Sequence, residues 1–263
     1  MSTLSYAAAD SATMLRRNLK HMLRYASMTL MLIGMPVVFL LLFVYVFGGT
    51  LGSGLGGATG GRAAYIQYVT PGILLMAVAS AAQGTAISVA MDMTEGIIAR
   101  FRIMAISRAS VLTGHVLANV VQTMLSLVIV VGVAVAIGFR SDASPIEWLA
   151  AAGVLAMITI AITWLTVALG MVTKTVEAAS NLPMPLVFLP FLGSGFVPTD
   201  SMPTGLRWFA EYQPFTPMIE TVRGLLLGTP IGNSAVIAVA WCAGITLVGY
   251  LWALKLYNRD PAK

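Results

Sequence analysis

Charged residues are scarce in this sequence of 263 residues, and their scarcity limits the solvents in which it can fold. Only 10% of the residues are Asp, Glu, Lys or Arg, whereas 58% are hydrophobic. A soluble domain contains roughly 25% charged residues, so this chain cannot cover itself with polar surface in water. We therefore predict an all-α membrane protein that forms a single transmembrane domain over residues 1–263.

Cysteine is almost absent, and enzyme motifs are missing. The single cysteine, Cys242, excludes an internal disulfide and a cysteine-based metal site. The sequence contains no His-Glu-x-x-His, no Gly-x-Ser-x-Gly and no Walker sequence. We expect no catalytic residue, no metal site and no cofactor bound by this chain, so energy for any transport must come from elsewhere.

Apolar segments long enough to cross a membrane, roughly 17–25 residues, occur six times along the chain. The predicted spans are about 28–47, 68–91, 111–138, 148–172, 178–197 and 235–254. The first is too long for the apolar region of a cleavable signal, roughly 7–15 residues. We therefore expect it to remain as a membrane span.

The distribution of basic residues predicts the orientation. Eleven of the 15 Lys and Arg fall in alternate segments that include both ends of the chain. Cytoplasmic loops carry such an excess, so both termini are predicted to be cytoplasmic. The same placement favours membrane lipid over nucleic acid as the partner of the net charge of +5. The glycine-rich stretch Gly48–Gly61 follows the first span and is therefore predicted to be an external loop. Its Gly-x-Gly-x-x-Gly pattern lacks the flanking strand and helix of a nucleotide site.

The fifth span differs from the others because it contains Pro183, Pro185 and Pro190, which disfavour a straight helix. The segment that follows, about 202–228, is too polar to span and too apolar for a free loop. We predict an external re-entrant helical hairpin between the fifth and sixth spans. Its charged residues are Arg207, Glu211, Glu220 and Arg223. Glu220 and Arg223 are three residues apart, a spacing that allows them to pair on a helix.

The predicted spans contain no deeply placed charged residue, since Glu147 and His115 lie at helix ends. Proton-coupled transporters usually carry charged relays within their spans, so this mechanism is disfavoured. Gln83, Asn119 and Gln122 are the most polar side chains within the spans. They are candidates for a translocation pathway, although hydrogen bonding between helices is an equally ordinary role for such residues.

Two basic segments are expected at the cytoplasmic surface. The first is an amphipathic helix. Its apolar face consists of Leu15, Leu19, Met22 and Ala26, and its basic face consists of Arg16, Arg17, Lys20 and Arg24. Such a helix lies in the membrane interface, where it anchors to lipid or contacts a cytoplasmic partner. The second is the loop from Asp92 to Arg108, in which Ile97, Phe101 and Met104 recur at helical spacing. A short helix there either anchors the loop or fits a groove on a partner protein.

This loop resembles the coupling segment of type-2 ABC transporter permeases, especially the daunorubicin-resistance type. The similar residues are Asp92, Gly96-Ile97-Ile98, Arg100-Phe101-Arg102 and Ser107-Arg108. A second similar block is Gly195-Phe196-Val197-Pro198 with Met202-Pro203, Phe209-Ala210-Glu211-Tyr212 and Glu220-Thr221-Val222-Arg223. Ala105 departs from the family, which commonly has proline at this position.

The resemblance implies a multi-pass subunit of a bacterial cell membrane that exports drugs, antibiotics or lipids. Two such permease chains would combine with a pair of cytoplasmic ABC ATPases, which hold the ATP and Mg²⁺ and perform the hydrolysis. The implied coupling residues are Asp92, Glu95, Gly96, Arg100, Phe101, Arg102, Ser107 and Arg108. The alternative is a non-transporting membrane scaffold or immunity factor that uses the same segment only to dock an ATPase.

Overall fold

The protein is helical throughout the part of the chain that the computed structural model describes, residues 26–55, 60–96 and 108–258. No strand occurs in these ranges. The helices are α1 (Ala26–Leu42), α2 (Gly48–Ser53), α3 (Arg62–Thr94), α4 (Arg108–Ala136), α5 (Pro145–Val172), α6 (Val176–Asn181), α7 (Met184–Phe188), α8 (Thr204–Tyr212), α9 (Phe215–Leu227) and α10 (Ser234–Tyr257). A π-helical turn, Phe43–Phe47, joins α1 to α2, and a 3-10 turn, Thr199–Ser201, precedes α8.

Five of the six predicted membrane spans are confirmed as helices of sufficient length and apolarity. They cover Ile33–Ser53, Arg62–Thr94, Leu112–Ala136, Pro145–Val172 and Ser234–Tyr257. The α3 and α5 spans form the centre of the bundle, with 72% and 67% of their most apolar stretches buried. Only 17% of the corresponding stretch of α10 is buried, so α10 packs at the periphery and presents most of its surface outwards.

The first span is longer than the sequence predicted. Gly48–Ser53 is helical, so the expected external loop over Gly48–Gly61 was wrong in its first residues. The physical reason is a close backbone contact, because a Cβ on Gly52 would overlap the carbonyl group of Gly61. Glycine therefore acts here as a contact residue between α2 and the start of α3, and not as a sign of a flexible loop.

The π-helical turn directs aromatic side chains towards the non-helical residues 189–197 that follow α7, here called the broken segment. Phe43 lies 4.7 Å from Phe196 between ring centroids, and Phe191 stacks on Phe196 at 4.2 Å. The hydroxyl of Tyr65 on α3 donates to the carbonyl oxygen of Phe196 at 3.2 Å. Aromatic pairs of this kind contribute beyond their buried area, by about 0.5–1.5 kcal/mol each. They hold the irregular backbone between the first span and α3.

The predicted fifth span, 178–197, is not one continuous helix. It consists of α6, α7 and a series of turns that ends near Phe196. Pro183 and Pro185 begin α7, and neither can donate a backbone hydrogen bond, which accounts for the break between the two helices. The two helices α8 and α9 follow, at the position of the predicted re-entrant hairpin.

The buried apolar side chains form two separate cores. The larger one, here called the large core, includes Leu40, Tyr65, Ile162, Phe196 and Phe215. The second, here called the small core, consists of Val89, Leu112, Val116, Trp164, Val167, Ala168, Met171, Ala253 and Tyr257. The small core lies at the end of the bundle where α3 ends and α4 begins.

The closest approach of the broken segment to α3 gives a stability prediction. A Cβ on Gly72 would overlap the backbone carbonyl of Gly195 and lie 2.7 Å from its Cα, whereas nothing lies within 4 Å of a Cβ on Gly84. We expect Gly72→Ala to destabilise the protein by about 1–3 kcal/mol, as overpacking does. The matched control Gly84→Ala should be neutral or stabilising, because alanine favours a helix by about 1 kcal/mol over glycine. Thermal unfolding in mild detergent measures both, and equal melting temperatures would contradict the packing argument.

Candidate functional site

The coupling segment begins where α3 ends. Glu95 caps the helix, with its backbone N–H bonded to the carbonyl of Met91, and Gly96 turns the chain with a φ of 71°. Glycine adopts this left-handed conformation without the strain that a Cβ causes. Of the predicted coupling residues, Arg100, Phe101, Arg102 and Ser107 lie outside the described residues, and Arg108 is the first residue of α4.

Asp92 and His115 close the base of this segment. The Nε2 of His115 lies 3.1 Å from the Oδ2 of Asp92, and both residues are buried. The contact joins the last turn of α3 to the second turn of α4. The two residues stand 23 positions apart, so the contact holds α3 and α4 together beside the predicted coupling segment.

Several polar side chains within the spans are hydrogen-bonded inside the bundle. Asn119 on α4 donates its amide to the hydroxyl of Thr163 on α5 at 2.7 Å, and Thr163 donates to the carbonyl of Thr159 at 2.5 Å. Both Asn119 and Thr163 are buried. A paired amide of this kind avoids the several kcal/mol that an unpaired polar group loses in hydrocarbon, about 4–8 kcal/mol in the limit of an apolar solvent.

The three candidate pathway residues therefore occupy different environments. Gln83 on α3 is half-buried and donates to the carbonyl of Ser180 on α6 at 2.6 Å. Asn119 points between α4 and α5, whereas Gln122, three residues further along α4, is half-buried. No contact described for the structure joins the three to one another. Their part in a translocation pathway remains a prediction.

A buried arginine organises the opposite end of the bundle. Arg223 on α9 is 7% exposed, and its Nη2 donates to the carbonyl oxygens of Ser194 at 2.6 Å and Tyr68 at 3.2 Å. Its Nη1 donates to Glu220 at 2.5 Å, which is the pair that the helical spacing predicted. The guanidinium also lies 4.0 Å from the centre of the Tyr68 ring, within range of a cation–π interaction. One side chain thus ties α9, α3 and the broken segment together.

Helix α8 contrasts with this cluster because it is exposed on nearly every side. Arg207 bonds to Glu211 and Asp200 at 2.7 and 2.6 Å, and these carboxylates raise the pKa of its guanidinium. Trp208 and Tyr212 are each 66% exposed and lie 5.4 Å apart between ring centroids. Only Ala210 of this helix is buried. Ion pairs at such an exposed position contribute little to stability.

Sequence reasoning missed several of these partners. The sequence places His115 at a helix end but indicates no partner for it, and it does not single out Tyr68 and Ser194 as partners of Arg223. Each partner is remote in sequence, since Tyr68 stands 155 residues from Arg223. The sequence does contain one signal for these contacts, which is Arg223 itself. An arginine among apolar helical residues requires several hydrogen-bond acceptors when it is buried.

The arginine cluster gives a second stability prediction. We expect Arg223→Leu to lower the free energy of unfolding by about 1–3 kcal/mol, because it leaves buried carbonyl groups without a donor. The matched control is Arg207→Leu on α8, which removes an exposed ion pair and should leave the melting temperature nearly unchanged. Thermal unfolding in detergent compares the two variants, and an equal loss in both would show that burial of Arg223 is unimportant.

The part of the chain that is similar to known proteins includes both of the sequence blocks named above. The family model described as ABC-2 type transporter matches residues 11–227. The daunorubicin resistance ABC transporter permease protein DrrB1 of Streptomyces coeruleorubidus is 27% identical over 229 residues, which cover 87% of this chain and 78% of that protein. The probable doxorubicin resistance ABC transporter permease protein DrrC of Mycobacterium tuberculosis is 27% identical over 236 residues, or 90% and 84% of the two chains. The chain therefore belongs to the ABC-2 type transporter family and is a membrane-spanning permease subunit of an ABC transporter.

Proposed function

We propose that this permease subunit moves hydrophobic or amphipathic compounds out of the cytoplasm, with hydrolysis of ATP by a separate subunit. The observation that carries the proposal is the neutral interior of the spans. The Asp, Glu, His, Lys and Arg side chains of the five spans lie within the first or last few residues of those spans, and they are Arg62, Asp92, His115, Glu147 and Lys255. An apolar path without fixed charges suits a bulky apolar cargo. The related permeases are named for daunorubicin and doxorubicin resistance, which supports the same class of cargo.

The proposed energy source is a pair of cytoplasmic ABC ATPases that holds ATP and Mg²⁺. The chain itself supplies the coupling segment, and its proposed coupling residues are Asp92, Glu95, Gly96, Arg100, Phe101, Arg102, Ser107 and Arg108. Asp92 is buried and contacts His115, so its proposed part is to hold α3 and α4 together beside that segment. Closure of the ATPase pair would then pull on two spans at once.

The assembly that we propose contains a second permease chain, identical or related, in a bacterial membrane with both termini in the cytoplasm. In this arrangement α6 and α7 form a broken fifth crossing, and α8 and α9 form the re-entrant hairpin outside. Irregular backbone at membrane depth requires cover by protein or a water-filled cavity. Gln83 and Gln122 are half-buried, and with Asn119 they remain the proposed residues nearest to the pathway.

The first experiment is purification of the tagged chain from native membranes in mild detergent, with identification of the proteins that remain bound. A stoichiometric ABC ATPase, and ATP-dependent uptake of daunorubicin into inside-out vesicles that contain both proteins, are the expected results. An ATPase that binds without any nucleotide-stimulated movement of cargo would favour the scaffold or immunity factor. Folded chain without an ATPase would contradict the proposal.

Charge reversal tests the coupling assignment. We expect Arg100→Glu combined with Arg102→Glu to abolish retention of the ATPase, because the two glutamates would repel the acidic groups that the arginines attract. Insertion into the membrane should be unaffected. The control is Arg140→Glu, an exposed residue of the loop between α4 and α5, which is predicted to lie on the other side of the membrane. Normal ATPase retention and transport in the double variant would contradict the assignment.

Cysteine labelling tests the orientation. Cys242 is buried and can be replaced by alanine, after which Asp142→Cys and Lys174→Cys each give an exposed single cysteine in a loop. We expect a membrane-impermeant maleimide to label position 142 in intact cells and position 174 only after the cells are broken, since the positive-inside rule places Lys174 in the cytoplasm. The reverse pattern would invert the proposed topology.

A further inference from the structure

A layer of polar side chains separates the large core from the small core. On α3 the large core ends at Ala82 and the small core begins at Val89, and on α5 the two meet at Thr163. On α4 the small core reaches Val116 and the large core begins at Leu127. These intervals contain buried or half-buried polar side chains. Those here called the polar layer are Gln83, Thr85, Asn119, Thr123, Ser126 and Thr163.

Gln83 and Asn119 lie at a similar depth in the bundle. Gln83 stands 11 residues before the end of α3, and Asn119 stands 11 residues after the start of α4. At a rise of about 1.5 Å per residue, each lies about 16 Å from the helix end next to the coupling segment. From Asn119 the polar layer extends along α4 to Ser126, about 27 Å from the start of that helix.

Hydrogen bonds in the polar layer are incompletely satisfied in the observed arrangement. The Asn119–Thr163 bond is short, but the hydroxyl of Thr123 lies 3.5 Å from the Oδ1 of Asn119. The buried hydroxyl of Ser126 finds no hydrogen-bond partner among the described residues. Buried polar groups in native structures are nearly always paired. A second arrangement of α4 against α5, in which these hydroxyls gain partners, would explain why the residues are polar.

The small core is the part of the bundle that the coupling segment joins directly. Val89 of this core and Asp92 share the last turns of α3, and Leu112, Val116 and His115 share the first turns of α4. A displacement of the segment therefore moves the small core first. Close-packed cores deform little, so the displacement is taken up where one core gives way to the other.

We propose that Asn119 and Thr163 are positioning residues of this layer, and that the small core moves against the large core when the ATPase pair closes. The inference rests on the proposed function and adds the place at which the bundle bends. Directional hydrogen bonds give the layer a small number of preferred arrangements, which apolar contacts alone do not. The Asn119–Thr163 bond selects one of them and so links the position of the coupling segment to the state of the pathway.

Distances between spin labels test the movement in the complete complex with its ATPase. The exposed residues Leu117 and Leu251 flank the small core, and Val128 and Val239 flank the large core. In a Cys242→Ala background, pairs of labels are introduced across the layer (117 with 239) and within each half (117 with 251, 128 with 239). Labelled chains are diluted with unlabelled chains so that each distance is measured within one protomer.

Trapping with ATP and Mg²⁺ should change the 117–239 distance by about 2 Å or more, the size of helix shifts in switching proteins. The two distances within the halves should stay constant. Equal changes in all three pairs, or none in a complex that hydrolyses ATP, would overturn the inference and leave the proposed function intact. A chain that binds no ATPase would contradict both.

Isosteric variants test the residue assignment. Thr163→Val removes the hydroxyl that accepts from Asn119, whereas Thr163→Ser keeps it. We expect the valine variant to retain ATP hydrolysis but to move about three- to tenfold less daunorubicin per ATP hydrolysed, the range set by one hydrogen bond within a membrane. The serine variant should restore the ratio. Mere destabilisation would reduce both activities together, so an unchanged ratio in the valine variant would overturn the role of Thr163.

Discussion

The structure depends on one requirement, which is that backbone polar groups at membrane depth must be bonded within the protein. Long helices meet it in the five spans. Where Pro183 and Pro185 interrupt the helical backbone, other groups meet it, and the carbonyls of Ser180, Ser194 and Phe196 accept from side chains of other helices. The irregular segment is thus held by remote donors.

The same requirement explains why the two ends of the bundle differ. At one end Arg223 supplies several bonds from a single buried guanidinium, which fastens α9 and the broken segment to α3. At the other end a buried contact joins Asp92 to His115. A bundle that is firmly bonded at one end and joined to the predicted coupling segment at the other would transmit movement from the ATPase pair that we propose.

Much of this architecture could be predicted from the sequence, because membrane spans are defined by apolar length and charge. The boundaries of α4, α5 and α10 agree with the prediction to within a few residues. Local spacing also predicted the Glu220–Arg223 pair. The extension of the first span through Gly52 could not be predicted, since glycine at a close backbone contact has the same sequence signature as glycine in a loop. The partners of Arg223 and His115 could not be predicted either, because tertiary contacts over 155 and 23 residues leave no local pattern.

The π-helical turn Phe43–Phe47 gives the chain a sensitivity to length as well as to residue type. A π-turn contains one residue more than an α-helix needs for the same stretch. Deletion of one residue from 44–47 would therefore restore α-helical geometry and leave the helices on either side in nearly the same relative orientation. A further insertion would instead rotate one side against the other by about 100°, and Gly52 would then face away from Gly61 although no side chain at that contact had been replaced. The turn is therefore expected to tolerate a one-residue deletion better than a one-residue insertion.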